Sequence, residues 1–202
     1  MIAPHQQDRG QTLPIYVVVV GGLLFLAFVY FAFAQAAVAR NGAQSAADAA
    51  ALAAAQDVRD ELTDGFEDSI GDADKWIEWI LAEGNYPGLG YEAAARQLAG
   101  ENDADLLALN PTLLRGDPAF AAEVKTRYTV GESAIPGTEK KKAVATATAV
   151  IEPRCTVTPS SNPLKLIEFD CEGSGHWEID PKDFVTGDLP EAKDLYSVHL
   201  AE

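Results

Sequence analysis

The residues of this chain whose types could do chemistry are few and far apart. Glu172-Gly173-Ser174-Gly175-His176 puts a serine near a histidine, but the spacing is not G-x-S-x-G, and no strand-to-helix elbow is expected there. His5, His176 and His199 are scattered, and no HExxH pair is present. The acidic pieces around Asp64–Asp74 and Asn102–Asp105 lack the ligand spacing of a calcium loop. No glycine-rich phosphate loop occurs. The sequence therefore predicts no catalytic, cofactor or metal residues, and no small-molecule substrate: the protein is not expected to be an enzyme. Cys155 and Cys171 are the only cysteines, and they enclose a loop containing Pro159 and Pro163. In an exported domain, two cysteines at this spacing most simply form one disulfide.

With so little reactive chemistry, function has to be sought in the elements. Leu13 to Ala34 reads LPIYVVVVGGLLFLAFVYFAFA, without one charged residue. At about 1.5 Å per residue a helix of this length spans about 33 Å, enough for a hydrocarbon core of about 30 Å. Thr12 suits an N-cap and Pro14 the first turn, and Tyr16 and Tyr30 suit headgroup depth. Ala32-Phe33-Ala34 and Ala37-Val38-Ala39 have the form of leader-cleavage sites, yet the run exceeds a leader's apolar stretch and the helical pattern continues beyond it. The sequence thus predicts an uncleaved single-pass anchor. Apart from Asp8 and Arg9, every charged residue follows the run, with 15 Lys and Arg against 31 Asp and Glu in all. A short cytoplasmic tail over 1–12 and an acidic part outside, holding both cysteines, is the expected orientation. The net charge of −16 excludes a nucleic-acid partner, because no basic stripe could offset the phosphates. Lys140-Lys141-Lys142 reads as a solvated hairpin tip.

Residues 35–62 continue the span as an alanine-rich helix. Ala39, Ala43, Ala47, Ala51 and Ala55 fall at i, i+4 spacing and make a smooth row on which another helix could pack closely. That row is assigned to packing against partner subunits, with Asn41-Gly42 as the expected kink or hinge. Residues 63–115 read as short helices joined by turns. One runs through WIEWILAEG, with Asp72 or Asp74 as cap and Trp76 and Trp79 in the core. A turn at Asn85–Gly88 leads to a second through YEAAARQLAG, and a third is DADLLALN, stopped by Pro111. From Phe120 the period changes to two. Glu123–Val130 and Ala143–Val150 alternate about the turn-rich GESAIPGTEKKK, which predicts a hairpin. Shorter strands over Leu164–Phe169 and His176–Ile179 would complete one small disulfide-pinned sheet, with a last strand near Tyr196–Leu200. The expected fold is α+β: a transmembrane helix over 13–34 and its alanine-rich extension, short helices, and an extracytoplasmic β-rich domain over 116–202 with one disulfide.

Arg9-Gly10, the apolar helix, Arg40 and the element Gln44-Ser45-Ala46-Ala47-Asp48-Ala49-Ala50-Ala51-Leu52-Ala53 together resemble the N-terminal region of TadE/TadG-like pilus-assembly proteins. Arg9, Gly10, Gln44, Ala46, Ala47, Asp48, Ala50 and Leu52 carry the likeness, which spans about residues 8–56. The resemblance implies a minor pilin-like component of a Tad/Flp-type (tight-adherence) pilus-assembly or secretion system. Such a protein sits in the bacterial cell membrane, with other pilin-like or pilus-assembly subunits as partners of its helix. Members cut by a prepilin peptidase carry Glu five residues after the cleavage glycine; here that position is Ile15, which implies retention of the TadG kind. Family members of the TadG type often carry an Asp late in the apolar helix, where this chain has Ala32 or its neighbours. The alternative from another class is a single-pass surface binding module, in which the helix is only a stalk for the disulfide domain.

Overall fold

The computed structural model describes residues 12–72, 75–83, 88, 90–129, 140–157, 166–185, 187 and 189–201. Arg9, Gly10, Asp74, most of the Asn85–Gly88 turn, the Pro159–Pro163 loop and most of the 131–142 connection lie outside them. The fold is α+β. One helix, α1 (Thr12–Asp68), dominates it. It is followed by α2 (Lys75–Ile80) and α3 (Tyr91–Glu101), then by strands β1 (Ala104–Leu114), β2 (Asp117–Thr126) and β3 (Val144–Pro153). The chain continues through β4 (Cys155–Val157), β5 (Ile167–Cys171) and β6 (Gly175–Ile179), and closes with the single turn α4 (Ala192–Leu195) and β7 (Tyr196–Leu200).

The helix α1 has two halves with opposite environments. From Ala39 onward one stripe is buried: Ala43, Ala46, Ala47, Ala50, Ala51, Ala54 and Ala55, then Val58, Leu62 and Phe66. These positions recur at helical spacing, and the side chains grow toward the C-terminus. The stripe lies on β2 and β3, which offer small residues in return, among them Ala122, Ala147 and Ala149, all buried. Alanine facing alanine lets the helix come close to the sheet. Because Val58, Leu62 and Phe66 prolong the stripe, the helix runs on to Asp68 rather than ending near residue 62.

The wide end of the core gathers the aromatics. Phe66 meets Phe169 edge-on at 5.7 Å between ring centroids, and Trp76 lies 6.1 Å from the same ring. Tyr91 of α3 packs on Phe120 of β2 at 5.1 Å. Such ring pairs contribute about 0.5–1.5 kcal/mol beyond their buried area. Trp79, half-buried, packs against this core, and its carbonyl accepts a 2.7 Å hydrogen bond from the buried Tyr196 hydroxyl.

The strands form two antiparallel sheets rather than the single sheet expected: β1-β2-β3-β7 and β4-β5-β6. Only Arg154 separates β3 from β4, so the chain leaves one sheet and enters the next almost without a loop. Ile167 and Phe169 of β5 and Ile179 of β6 turn into the common core, which unites the two sheets under α1.

The third expected helix is a strand. Residues 104–114 form β1, antiparallel to β2 from Ala104↔Thr126 to Leu114↔Asp117. Asn102 and Asp103 stop α3 before it: Asn102 donates to the Leu98 carbonyl, and Asp103 takes a left-handed φ of 52°. Asn102 and Asp103 therefore stop one helix, and the expected third helix does not begin after them. Pro111 is tolerated because β1 is an edge strand. Counting back from the Arg115-Gly116 turn, where both residues have positive φ, Pro111 faces Phe120 in a non-hydrogen-bonded pair with its nitrogen toward the free edge.

Candidate functional site: an apolar helix and its junction with the domain

Among the described residues, the first half of α1 meets none of the domain over most of its length. Leu13, Ile15, Val17, Val18, Leu23, Leu24, Phe25, Leu26, Phe28, Phe31 and Phe33 are all more than half exposed. An exposed, uncharged apolar helix of this length is a candidate membrane span. Tyr16 and Tyr30, at 71% and 77% exposure, stand near its two ends.

The junction lies between Phe31 and Gly42. Tyr128 and Thr129, just past β2, share a shallow cleft with Phe31, Ala34, Gln35 and Val38. The Tyr128 hydroxyl occupies the space that a side chain on Gly42 would need. This accounts for the glycine of Asn41-Gly42: α1 is helical throughout this stretch, and the position serves close approach rather than the expected hinge.

The residues singled out from the sequence fall into clear places. Ala39 is 2% exposed, and Ala43, Ala47, Ala51 and Ala55 are fully buried. The face assigned to partner subunits is thus covered by the chain's own sheet and by α3. Alanine spacing announces that something packs closely, but not which chain supplies it. Within the family element, Ala46, Ala47 and Ala50 are buried and Leu52 packs against the core. Gln44 and Asp48 face outward, where Gln44 Nε2 donates to Asp48 Oδ1 at 2.8 Å.

The disulfide joins Cys155 of β4 to Cys171 of β5. The two are cross-strand partners, and the Glu172 N–H donates to the Arg154 carbonyl beside them. That pattern marks a non-hydrogen-bonded pair, where facing side chains come closest. The disulfide therefore closes the small sheet at the end of the domain remote from the apolar helix.

Ser174 and His176 form no catalytic pair. Ser174 Oγ accepts from the Trp177 indole at 3.3 Å, while His176 Nδ1 lies 3.0 Å from Asp170 Oδ1 and Nε2 lies 3.4 Å from Glu178 Oε1. The hydrogen bond that His176 donates to Asp170, then the charge of Asp170 and the contact with Glu178, raise the His176 pKa above its ordinary value of 6.5. Ligand atoms of Glu168, His176 and Glu178 lie within 4.8 Å of one another, a grouping that the separation of these residues in the sequence did not announce. All belong to the β5–β6 hairpin, whose register sets Glu168 opposite Glu178 and Asp170 opposite His176.

Near the junction, Arg127 Nε donates to Asp105 Oδ1 at 2.8 Å. That bond, with the charges of Arg127, Lys142 and Lys125, holds the Asp105 carboxyl below its usual pKa. Four residues from three segments are thereby drawn into one polar group at the end of the domain next to the apolar helix.

The architecture defines a class: an α+β domain built on the second half of a helix whose first half is exposed and apolar enough to cross a membrane. Residues 10–57 match the family model described as putative Flp pilus-assembly TadE/G-like. The N-terminal region is therefore TadE/G-like, and the match ends inside α1, before either sheet. Neither the curated proteins nor the solved structures contain a match to this chain. The family match and the candidate span together support a membrane-associated pilus-assembly component.

Proposed function

We propose that this protein is a membrane-anchored, minor pilin-like component of a Tad/Flp-type pilus-assembly or secretion system, acting by helix packing and not by catalysis. Its N-terminus is cytoplasmic and its disulfide domain lies outside a bacterial cell membrane. The observation that carries this reading is the division of α1. The buried stripe of its second half is covered by the chain's own domain, whereas its first half is largely exposed as far as the junction and falls inside the family match. Contacts with other subunits therefore fall to Leu13–Val38 and not to the alanine row. Gly21 and Gly22 lie in that exposed half with open space around them, and would let a second helix approach closely within the bilayer.

Photo-crosslinking in cells that make the pilus tests this reading. A photoreactive residue replacing Phe25 or Leu26 should capture pilin-like or assembly subunits, and one replacing the buried Ala50 should capture none. Crosslinks to lipid alone, with pilus assembly unchanged when Gly21 and Gly22 are both made leucine, would reject the assembly role.

A further inference from the structure

The domain carries a strong excess of acid, yet one of its ends is basic. Lys125 and Arg127 flank Thr126 at the end of β2, and Lys140, Lys141 and Lys142 lead into β3. The two segments are tied together: the Thr126 N–H donates to the Ala143 carbonyl at 2.9 Å, and the Ala143 N–H to Thr126 Oγ1 at 3.1 Å. With Arg40 on α1, six of the chain's 15 Lys and Arg lie at this end. All six are exposed. The acidic groups near them among the described residues are Glu101, Asp103, Asp105 and Glu123, four against six cations. Asp105 is paired with Arg127, and Glu123 shares the outward face of β2 with Lys125. Glu139, next to Lys140 in the sequence, lies outside the described residues. Among the described residues no carboxylate forms an ion pair with Lys125, Lys140, Lys141 or Lys142.

This basic end is the one that meets the apolar helix. Thr129 and Tyr128, immediately after Arg127, reach Phe31 and Ala34 at the close of the uncharged run. The opposite end of the domain carries Asp170, Glu172, Glu178 and Asp180, all exposed. The charge is therefore polarised along the same axis as the candidate span.

We infer that Lys125, Arg127 and Lys140–Lys142, with Arg40, form a collar that binds the anionic headgroups of the membrane in which α1 is anchored. The inference rests on the anchoring proposed above. Exposed lysines within a Debye length of an anionic surface are each drawn to it, and the attraction is screened by salt. Tyr128 and the half-exposed Val144 add an aromatic and an apolar residue to the same edge. The collar fixes the tilt of the domain on the bilayer and holds its acidic end away from it.

The test is amide hydrogen exchange on the full chain reconstituted in bilayers of phosphatidylcholine, with and without about one-third phosphatidylglycerol. Flotation with each type of vesicle is measured in parallel. In the anionic bilayer the amides of Thr126, Arg127 and Ala143 should exchange at least about threefold more slowly, and about 0.5 M salt should remove the difference. Changing Lys140, Lys141 and Lys142 together to Gln should also remove it, while Lys182→Gln, at the far end, should leave it. Equal exchange in the two bilayers, with the chain floating in both, overturns the collar and leaves the anchor standing. A chain that floats with neither vesicle overturns the anchor, and the collar with it.

Discussion

The hydroxyl of Tyr128 stands over Gly42, filling the position that any side chain there would take. One turn of α1 and the end of β2 are thereby held in register where the domain meets the apolar half of the helix. Glycine in a helix interior costs about 1 kcal/mol relative to alanine, so Gly42→Ala should gain stability except for the clash. The two effects should nearly cancel in Gly42→Ala alone. In a Tyr128→Phe background, which removes the clashing oxygen, the same change should stabilise by about 1 kcal/mol. A double-mutant cycle read by denaturant unfolding in detergent checks this; additive effects would remove Tyr128 as the reason for the glycine.

The alanine stripe makes the second prediction. Ala47 and Ala50 have no exposed surface and belong to the stripe on which the chain's own sheet and α3 pack. Either one changed to leucine should lose about 1–3 kcal/mol of domain stability by overpacking. The loss should appear in the isolated, monomeric chain, with no partner present. If unfolding were unchanged and only co-purification with other subunits weakened, the stripe would be an intermolecular surface after all.

Much of this arrangement was legible in the sequence, and the failures have physical causes. The uncharged run, the period-two pattern of β2 and β3, the final strand Tyr196–Leu200 and the Cys155–Cys171 pair were all readable, because each depends on local pattern or on a unique pairing. Strand β1 is not legible because Leu106, Leu107 and Leu109 suit a short helical face equally well. Pro111 looked like a stop when its place at a free edge removes the penalty. The destination of the alanine row could have been suspected from Ala145, Ala147 and Ala149, which alternate on one face of β3. Small residues on two elements of the same chain are a reciprocal signal that neither shows alone. The division into two sheets had no local signal, since it turns on the single residue Arg154 and on core contacts of Phe169.

The disulfide yields a third prediction. Closing a loop of this size contributes about 3 kcal/mol on the chain-entropy model. Cys155→Ser with Cys171→Ser should therefore destabilise the domain markedly. The bridge lies within the small sheet, so hydrogen exchange should first rise in β4, β5 and β6, with β2 and β3 keeping their protection. Uniform loss across both sheets would show that the bridge supports the whole core.

The β5–β6 hairpin should respond to pH through His176. Its folded pKa is raised above the ordinary 6.5, chiefly by the hydrogen bond with Asp170. The protonated ring is the stabilised form, so its contribution is complete below about pH 6.5 and fades as the pH rises through the folded value. Amide opening in β5 and β6 should increase across that range. Asp170→Asn should lower the His176 pKa in an NMR titration, and an unchanged titration would remove Asp170 as the cause.

Tyr196 ties the last strand to the end of α2, its hydroxyl donating to the Trp79 carbonyl from a site 1% exposed. Tyr196→Phe leaves that carbonyl with the Ala82 N–H alone, at 2.9 Å, and should cost about 1 kcal/mol in urea unfolding. An unchanged midpoint would mean that water takes over the bond.

The division of α1 into an anchored half and a packed half is tested most directly by protease treatment of intact spheroplasts, followed by an alkaline wash of the membranes. External protease should degrade the domain, and a membrane-retained fragment containing Leu13–Ala34 should survive the wash. A domain protected until the cells are lysed, or a chain released by the wash, would contradict the account.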